Sequence, residues 1–418
     1  MGNRTIFAPR QNLFLRTLTR VRPFCACLIP LILSIVVLVL IRVLPAQAIE
    51  AVYSRNLFRK IAAVCGLVSR HLPFSLAGVL LWGLAGAAVL AVLAPPVLLL
   101  MLPRLRRSRL PALWARAMAA LLALGLLTLT VIFAPPWMAL LLAPVLLLVT
   151  LLCAPRLSAL LALILLLFAV TCAPNYYRLT FAEQSGLVIR DSHVSELEAL
   201  CGELIEKTNA ARELTDGTDK PFAELSRQAL AAFNALEADY PFLGRAQSPA
   251  KPMPFSEILS VFNLTGFYFP YTAEANVNSH MPQTETAFTI CHELAHTCGF
   301  MREDEANFIG YLACLKSSDA KLRYSGLYVA TIHSMNALYR ADSQRYFALR
   351  EQYSPALARD TARVRQYWDA YFDTPAAEVS NVVNDTYLKA NNLSDGTQSY
   401  GRMVDLLLAQ YRQAHGIT

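Results

Sequence analysis

Long apolar segments before residue 174 constrain the fold of this chain more than any other feature of its sequence. Because a helix rises about 1.5 Å per residue and the hydrocarbon core of a bilayer is about 30 Å thick, a span needs about 20 apolar residues. Five nearly uncharged segments reach or approach that length: Cys25–Leu44, Ser75–Leu102, Ala117–Ala134, Trp137–Cys153 and Leu157–Cys172. We predict five spans. Three spans with one re-entrant pair is the alternative, since the last three segments are short and closely spaced.

The composition of the chain changes near residue 174. The whole chain is 55% hydrophobic and only 16% charged, which excludes a single soluble globule. After Asn175 the sequence is typical of a water-soluble domain, and its roughly 240 residues are enough for one sizeable core. We therefore predict two domains: a transmembrane α-helical region over residues 1–173 and a folded domain over residues 174–418.

The distribution of charge predicts an orientation in the membrane. The first 116 residues hold 15 basic residues and one acid, Glu50, whereas the whole chain carries a net charge of +7, so the remainder is net negative. The basic residues lie beside predicted spans, as in cytoplasmic loops, and therefore do not indicate a nucleic-acid partner. With the amino terminus and residues 103–116 in the cytoplasm, an odd number of spans places the carboxyl-terminal domain outside it. The 45–75 segment, also predicted outside, carries four basic residues that conflict with this rule.

The first apolar segment is predicted to be an uncleaved membrane anchor. It is followed by Ala46-Gln47-Ala48, which fits a signal-cleavage site and makes a cleaved signal peptide the alternative, but Arg42 separates the apolar run from that site. The nine cysteines of the chain show no regular spacing. They therefore do not predict a disulfide framework.

The sequence His292-Glu293-Leu294-Ala295-His296 is typical of a catalytic zinc site. His292 and His296 are one helical turn apart, so both imidazoles can face one Zn²⁺ ion. Glu293 lies beside the first ligand, where it can take a proton from the attacking water and pass it to the leaving amine. The alternative is an ordinary amphipathic helix that carries two histidines.

A zinc site of this kind needs a third protein ligand. Arg302 occupies the position at which one class of zinc peptidase has a third histidine, and a guanidinium cannot bind zinc because it stays protonated. Glu303, just beyond it, is the favoured ligand, with Asn307 one turn later as a hydrogen-bond partner of a ligand. Glu305 points about 160° away on a 3.6-residue helix and is the less favoured alternative, and Asp304 ranks below both.

The motif and the residues after it carry a resemblance. HELAH followed by EDEAN resembles the gluzincin arrangement of CAAX-type and HtpX-like membrane proteases and of ImmA/IrrE-like metallopeptidases. More closely, the chain resembles an uncharacterised family of bacterial multi-pass membrane proteins with an extracytoplasmic zincin-like domain. The matching pieces are Asn175–Arg178, Gly266–Pro270, Glu274–Asn278, residues 292–308, Arg323–Ser325, Asn384–Lys389 and Ser399–Gly401. The resemblance implies a mainly α, zincin-like α+β metallopeptidase domain in the plasma membrane.

Two features of a peptidase site can be sought in the sequence. The extended segment Glu274–Asn278 is predicted as an edge strand on which a substrate peptide pairs through its backbone, an internal strand or loop being the alternative. A hydrogen-bond donor for the developing oxyanion is also required. The candidates for it are His333, Tyr387, Tyr400 and Arg402.

We therefore expect a membrane-anchored zinc metallopeptidase that hydrolyses a protein or peptide substrate and has the lipid bilayer as its second partner. The competing hypothesis is a zinc-stabilised sensor or scaffold without turnover. Glu293 favours the enzyme, because a purely structural zinc site has no use for a carboxylate between its ligands. The sequence predicts neither a particular substrate nor an oligomeric state.

Overall fold

The computed structural model describes residues 11–133, 145, 149, 150, 154–372, 374–391 and 402–417. These residues are mostly helical and include one small sheet. They divide into two compact units. One contains Met1–Arg42 and Gly83–Val170, and the other contains Val43–Trp82 and Thr171–Thr418.

The helices before residue 172 carry the apolar segments. They are α1 (Gln11–Val43), α2 (Phe58–Ser69), α3 (Leu76–Met101), α4 (Leu110–Phe133) and α5 (Pro155–Thr171), with a π-helical stretch at Ile49–Leu57. Two stretches, Ala26–Val43 in α1 and Leu76–Met101, are long and apolar enough to cross a membrane. Shorter apolar stretches lie in α4 and α5. Most of the predicted span Trp137–Cys153 lies outside the described residues.

The second unit is a helical bundle with a sheet on one side. Its helices after residue 171 are α6 (Phe181–Ser185), α7 (Val194–Glu213), α8 (Phe222–Ala235), α9 (Ser256–Val261), α10 (Gln283–Thr297), α11 (Glu303–Lys316), α12 (Ala320–Ala341), α13 (Ser343–Arg350), α14 (Pro355–Asp369), α15 (Pro375–Ala390) and α16 (Met403–His415). Helix α10 packs against α11, α12 and the sheet. Every residue from Thr286 to His296 is buried, so the helix that carries the HELAH motif lies in the core and is not a surface amphipathic helix.

The sheet has three strands in the order β1-β3-β2. Strand β1 (Lys251–Pro252) runs parallel to β3 (Glu274–Val277), and β2 (Gly266–Phe269) runs antiparallel to it. Strand β3 is therefore central, and the prediction that this segment is an edge strand was wrong. Glu274 and Asn276 of this strand are buried, and polar groups of neighbouring segments pair with them.

Residues 43–82 form part of the unit that carries the HELAH helix. Glu50 forms a buried ion pair with Arg178 at 2.8 Å, and Ser54 donates a hydrogen bond to Asn175 at 2.9 Å. The aromatic ring of Phe58 is almost fully buried. The domain boundary predicted at residue 174 excludes this segment from the folded domain. A polar stretch between two apolar ones has the composition of a connecting loop, so composition does not reveal its place in the fold.

Two of the basic residues of this segment, Arg55 and Arg59, have partners within the same unit. Arg55 pairs with Glu50 at 3.0 Å and donates to the side chain of Gln184 at 2.9 Å. Arg59 donates to the carbonyl oxygen of Phe242 at 3.0 Å. These arginines have structural roles, which accounts for their presence in a segment that the charge rule would otherwise place in the cytoplasm.

The first turn of α3 is joined to the sheet. The carboxylate of Glu274 accepts hydrogen bonds from the backbone N–H groups of Leu76 at 3.0 Å and Ala77 at 2.7 Å, and it pairs with Lys251 at 2.7 Å. Ser75 donates to the side chain of Asn276. A negative side chain thus satisfies N–H groups at the amino terminus of the helix, where the helix dipole also favours it.

Candidate metal centre

Two helices bring three metal-binding side chains together. His292 and His296 lie on α10, and Glu303 is the first residue of α11. The Nε2 atoms of the two histidines are 3.0 Å apart, and the Glu303 carboxylate lies 3.2 Å from His292 Nε2 and 3.7 Å from His296 Nε2. One ligand atom from each residue lies within 4.8 Å of the others, so this group could hold a metal ion.

The turn between the two helices fixes one of the imidazoles. His296 Nδ1 lies 2.7 Å from the carbonyl oxygen of Phe300, which orients its Nε2 atom towards the group. Gly299 has a φ of 87°, a backbone conformation that glycine adopts without strain. Gly310 lets α11 approach closely, because a Cβ atom there would lie 3.1 Å from the backbone nitrogen of His292.

The carboxylate of Glu293 is buried beside this group. The residue is 2% exposed, and its Oε2 atom has no hydrogen-bond partner among the described residues. Burial raises the pKa of Glu293, the neighbouring histidines oppose this shift and Glu303 adds to it, so that the pKa is about 7. Its Oε1 atom lies against β2, where a Cβ atom on Gly266 would be only 2.6 Å away.

The three side chains favour a positive charge between them. Burial lowers the pKa of His296, but the carboxylates of Glu303 and Glu293 raise it more, to about 9. Burial raises the pKa of Glu303, but the two histidines hold it well below its usual range. The cluster therefore retains a proton near neutral pH, and a divalent cation would supply the same stabilisation more strongly.

The other acidic residues at the start of α11 lie outside the metal-binding group. Glu305 accepts a hydrogen bond from the backbone N–H of Phe181 at 2.9 Å and lies 3.4 Å from Arg302. Burial raises the pKa of Glu305 to about 7, and Arg302 opposes the shift. Glu305 therefore anchors the amino terminus of α6. The carboxylate of Asp304 lies outside the metal-binding group as well.

The site opens into a cavity of about 680 Å³. Asn307 lines it, and the Nδ2 atom of this residue has no hydrogen-bond partner in the described part of the chain. Two of the predicted oxyanion donors, His333 and Tyr387, also line it. Arg402 is not among the lining residues, and Tyr400 lies outside the described residues.

Several residues of the cavity were not singled out from the sequence. The hydroxyl of Tyr176 lies 3.0 Å from that of Tyr387, and burial raises the pKa of Tyr176 well above its usual value, so it stays protonated. Glu285 accepts a hydrogen bond from the indole N–H of Trp368 at 2.8 Å. Glu285 lies two helical turns before His292, and this spacing indicates that both side chains are on the same face of the helix. No sequence pattern indicates the contact between Phe300 and His296.

Replacing Gly266 by alanine should destabilise the fold. The added methyl group would lie 2.6 Å from Glu293 Oε1 and 2.9 Å from the carbonyl oxygen of Asn276, so the strand or the carboxylate must move. Overpacking of this kind costs about 1–3 kcal/mol. Thermal unfolding of the full-length protein in detergent should show a melting temperature lower by roughly 2–10 °C.

Gly202→Ala is the matched control for this measurement. Gly202 lies inside α7, and a Cβ atom there would meet nothing within 4 Å. Alanine should stabilise that helix by about 0.5–1 kcal/mol. Equal melting temperatures for Gly266→Ala and the wild type would show that β2 does not constrain Glu293.

Comparison with known proteins places the chain in a family without giving it an activity. Neither the curated proteins nor the solved structures contain a match. The family described as "Protein of unknown function (DUF3810)" matches residues 125–408, which is more than half of the chain and includes the whole metal-binding group. The prediction of an uncharacterised family is confirmed. The chain belongs to the DUF3810 family.

Proposed function

We propose that this protein is a membrane-anchored, zinc-dependent metallopeptidase of the gluzincin type. One observation carries the proposal: His292, His296 and Glu303 converge within 4.8 Å, and the buried carboxylate of Glu293 lies beside them in a cavity. Catalytic zinc sites combine three protein ligands of these types with one open position. A structural zinc site usually has four protein ligands and no unpartnered carboxylate.

The donor set fits zinc. Two neutral imidazoles and one carboxylate form the combination found in zinc peptidases, whereas calcium and magnesium prefer oxygen ligands alone. The tendency of the cluster to hold a proton, expressed in the raised pKa of His296, also favours a bound cation. When bound, zinc would supply Lewis acidity that polarises a carbonyl group and lowers the pKa of water.

Glu293 is proposed as the general base and then the general acid. Its pKa of about 7, raised by burial, lets it accept a proton from water and return it to the leaving amine near neutral pH. The unpartnered Oε2 atom is available for this transfer. Tyr387 is the proposed hydrogen-bond donor to the oxyanion, since phenols stay protonated at neutral pH. The hydroxyl of Tyr176 donates to that of Tyr387 at 3.0 Å and so positions it.

The proposed substrate is an extended peptide that pairs with β2. This strand is bonded to β3 on one side, and Gly266, Phe267 and Tyr268 line the cavity beside Glu293. A sheet edge next to a metal site binds an extended backbone through main-chain hydrogen bonds. Pairing with the substrate backbone, which we predicted for residues 274–278, is therefore proposed for the neighbouring strand β2.

Three features support the proposed plasma-membrane location with the site outside the cytoplasm. Helices α1 and α3 are apolar and long enough to span. Residues 43–82 and 171–418 share one compact unit, which supports placing the segment before α3 and the carboxyl-terminal domain on the same side of the membrane. If α3 crosses, the chain between residues 102 and 170 has to cross an odd number of further times, which both five and three spans satisfy. The basic residues of 103–116 then orient the unit outwards.

Metal content tests the proposed ligand set. The full-length protein in detergent should contain stoichiometric zinc by mass spectrometry. His296→Ala and Glu303→Ala should each lose it, because removing one of three ligands leaves too few donors to retain the ion. Glu305→Ala is the matched control and should keep it, since Glu305 lies outside the group.

If Glu303→Ala kept zinc and Glu305→Ala lost it, Glu305 would be the third ligand. Absence of zinc from the folded wild-type protein would remove the basis of the metallopeptidase proposal. Zinc retention without any peptide hydrolysis would favour the sensor or scaffold.

A further inference from the structure

An exposed apolar surface lies beside the first turns of α3. Phe255 is 70% exposed, Phe262 39% and Ile258 37%. Phe255 and Phe262 flank α9 directly, and Ile258 lies within it. Leu259 and Ser260 of the same helix are buried. We refer to Phe255, Ile258 and Phe262 as the α9 surface.

The segment that leads into α9 is held against α3. The indole N–H of Trp82 donates to the carbonyl oxygen of Pro254 at 3.1 Å, and the Trp82 ring meets that of Phe255 edge to face at 5.7 Å. A Cβ atom on Gly78 would lie 2.5 Å from Pro254, so only glycine permits this approach. Phe255 itself has a φ of 56°, an uncommon conformation for a bulky residue. The backbone is therefore strained at the point where the aromatic side chain turns outwards.

These contacts fix the depth of the α9 surface. Trp82 lies six residues after Leu76, the first residue of the apolar helix, which corresponds to about 9 Å along the helix axis. Tryptophan is enriched at the boundary between lipid and water. If α3 spans the bilayer, Trp82 lies in the interfacial region, and Phe255 lies at the same level because their rings are in contact.

The same surface continues to the mouth of the cavity. Asn263 and Leu264, which follow Phe262 directly, line the cavity. Thr374, at the start of α15, donates to the carbonyl oxygen of Val261 at 3.1 Å. Helix α15 contributes further cavity residues and exposes Val379 and Val383.

We propose that the α9 surface inserts into the lipid interface and holds the mouth of the metal-site cavity at the membrane. The substrate is then a polypeptide that is itself attached to the membrane, rather than a freely diffusing peptide. The lipid contact depends only on α3 spanning the bilayer, whereas the substrate class rests on the proposed function.

Photocrosslinking tests the lipid contact. The full-length protein, with p-benzoylphenylalanine in place of Phe255, is reconstituted in vesicles of phosphatidylethanolamine and phosphatidylglycerol, irradiated and analysed for lipid adducts by mass spectrometry. Phe347 on α13 is the control position, because it is 59% exposed and its ring contacts Tyr339 and Tyr346. We expect about tenfold more lipid adduct at position 255 than at 347, as for an aromatic side chain buried in the interface. Equal yields at the two positions would overturn the proposal.

A second experiment tests the substrate class. A peptide library is prepared in a free form and in a palmitoylated form inserted into the same vesicles. The wild type should cleave the lipid-attached form with the higher kcat/KM, and a Phe255→Ser/Phe262→Ser variant should lose about tenfold of that preference while cleaving the free form unchanged. No preference in the wild type would overturn the substrate class. If neither form is cleaved, the metallopeptidase proposal fails, and the proposed substrate class fails with it. The yield of lipid adduct in the crosslinking experiment still tests the lipid contact independently.

Discussion

Glu293→Gln should reduce peptide hydrolysis by about 10²–10⁴-fold and leave zinc in place, the range expected when a general base is removed. Glutamine keeps the size of the side chain and its approach to Gly266, but it cannot accept the proton. Because Glu293 is not among the metal-binding group, zinc content should equal that of the wild type. The measurement is the rate of new amino termini formed in a peptide library, determined by mass spectrometry, together with metal content on the same sample.

Glu285→Gln is the matched control for this rate. Glu285 also lies on α10 and lines the same cavity, but it bonds to Trp368 and lies outside the metal-binding group. Its replacement should change kcat far less than that of Glu293. If Glu293→Gln hydrolysed peptides at the rate of the wild type, this carboxylate would not be the general base. Another residue would then have to accept the proton.

Removing Glu50 should destabilise the protein by about 3–5 kcal/mol, the usual effect of leaving a buried charge without its partner. Arg178 is 2% exposed and Glu50 is 3% exposed, so in Glu50→Gln the guanidinium loses its counter-charge and at least one of its two 2.8 Å hydrogen bonds, and it stays out of water. Arg178 also stacks on Phe300 at 3.9 Å and donates to the carbonyl of Cys298 at 3.3 Å. The melting temperature in detergent should fall by roughly 5–15 °C.

A double replacement separates the charge from the packing. Glu50→Leu with Arg178→Met removes both charges together, and apolar replacement of a complete buried pair is often close to neutral. The double variant should therefore recover most of the melting temperature lost in Glu50→Gln. Glu237→Gln, which breaks an exposed pair with Arg245, should change stability by less than about 1 kcal/mol. If Glu50→Gln lost as little stability as Glu237→Gln, Arg178 would have found another hydrogen-bond partner or water.

The metal-binding residues were the part of the site that the sequence predicted best. The four-residue spacing of His292 and His296 works through one helical turn, so local geometry alone brings their rings together. Glu303 follows after a short turn, and the direction of its side chain could be separated from that of Glu305 by helical periodicity. Contacts between distant segments carry no such periodic signal, which is why the roles of Gly266 and Tyr176 were not found. The contact of the Phe300 carbonyl with His296 is local, but it uses the backbone and so leaves no mark on the residue type.

The strand order and the role of residues 43–82 could not be predicted for a related reason. Residues 274–278 were predicted to form an edge strand, but β3 is central, and its buried Glu274 has Lys251 and the amino terminus of α3 as partners. Glu50 was counted only as a charge in a loop. In both cases a buried polar residue is explained by a partner far away in the chain, and composition does not reveal such pairs.

The division of the site-bearing unit between two chain segments sets an order for its biogenesis. Residues 43–82 leave the ribosome first, but Arg178 and Glu274, which pair with them, follow only after residues 83–170 have been made. At about 5–20 residues per second, the delay between Trp82 and Glu303 is roughly ten to forty seconds. In the proposed topology the intervening spans must also be inserted before the two segments can meet. The three side chains of the candidate metal site would then receive their supporting contacts only once the protein is in its membrane, and the proposed activity would arise only after insertion.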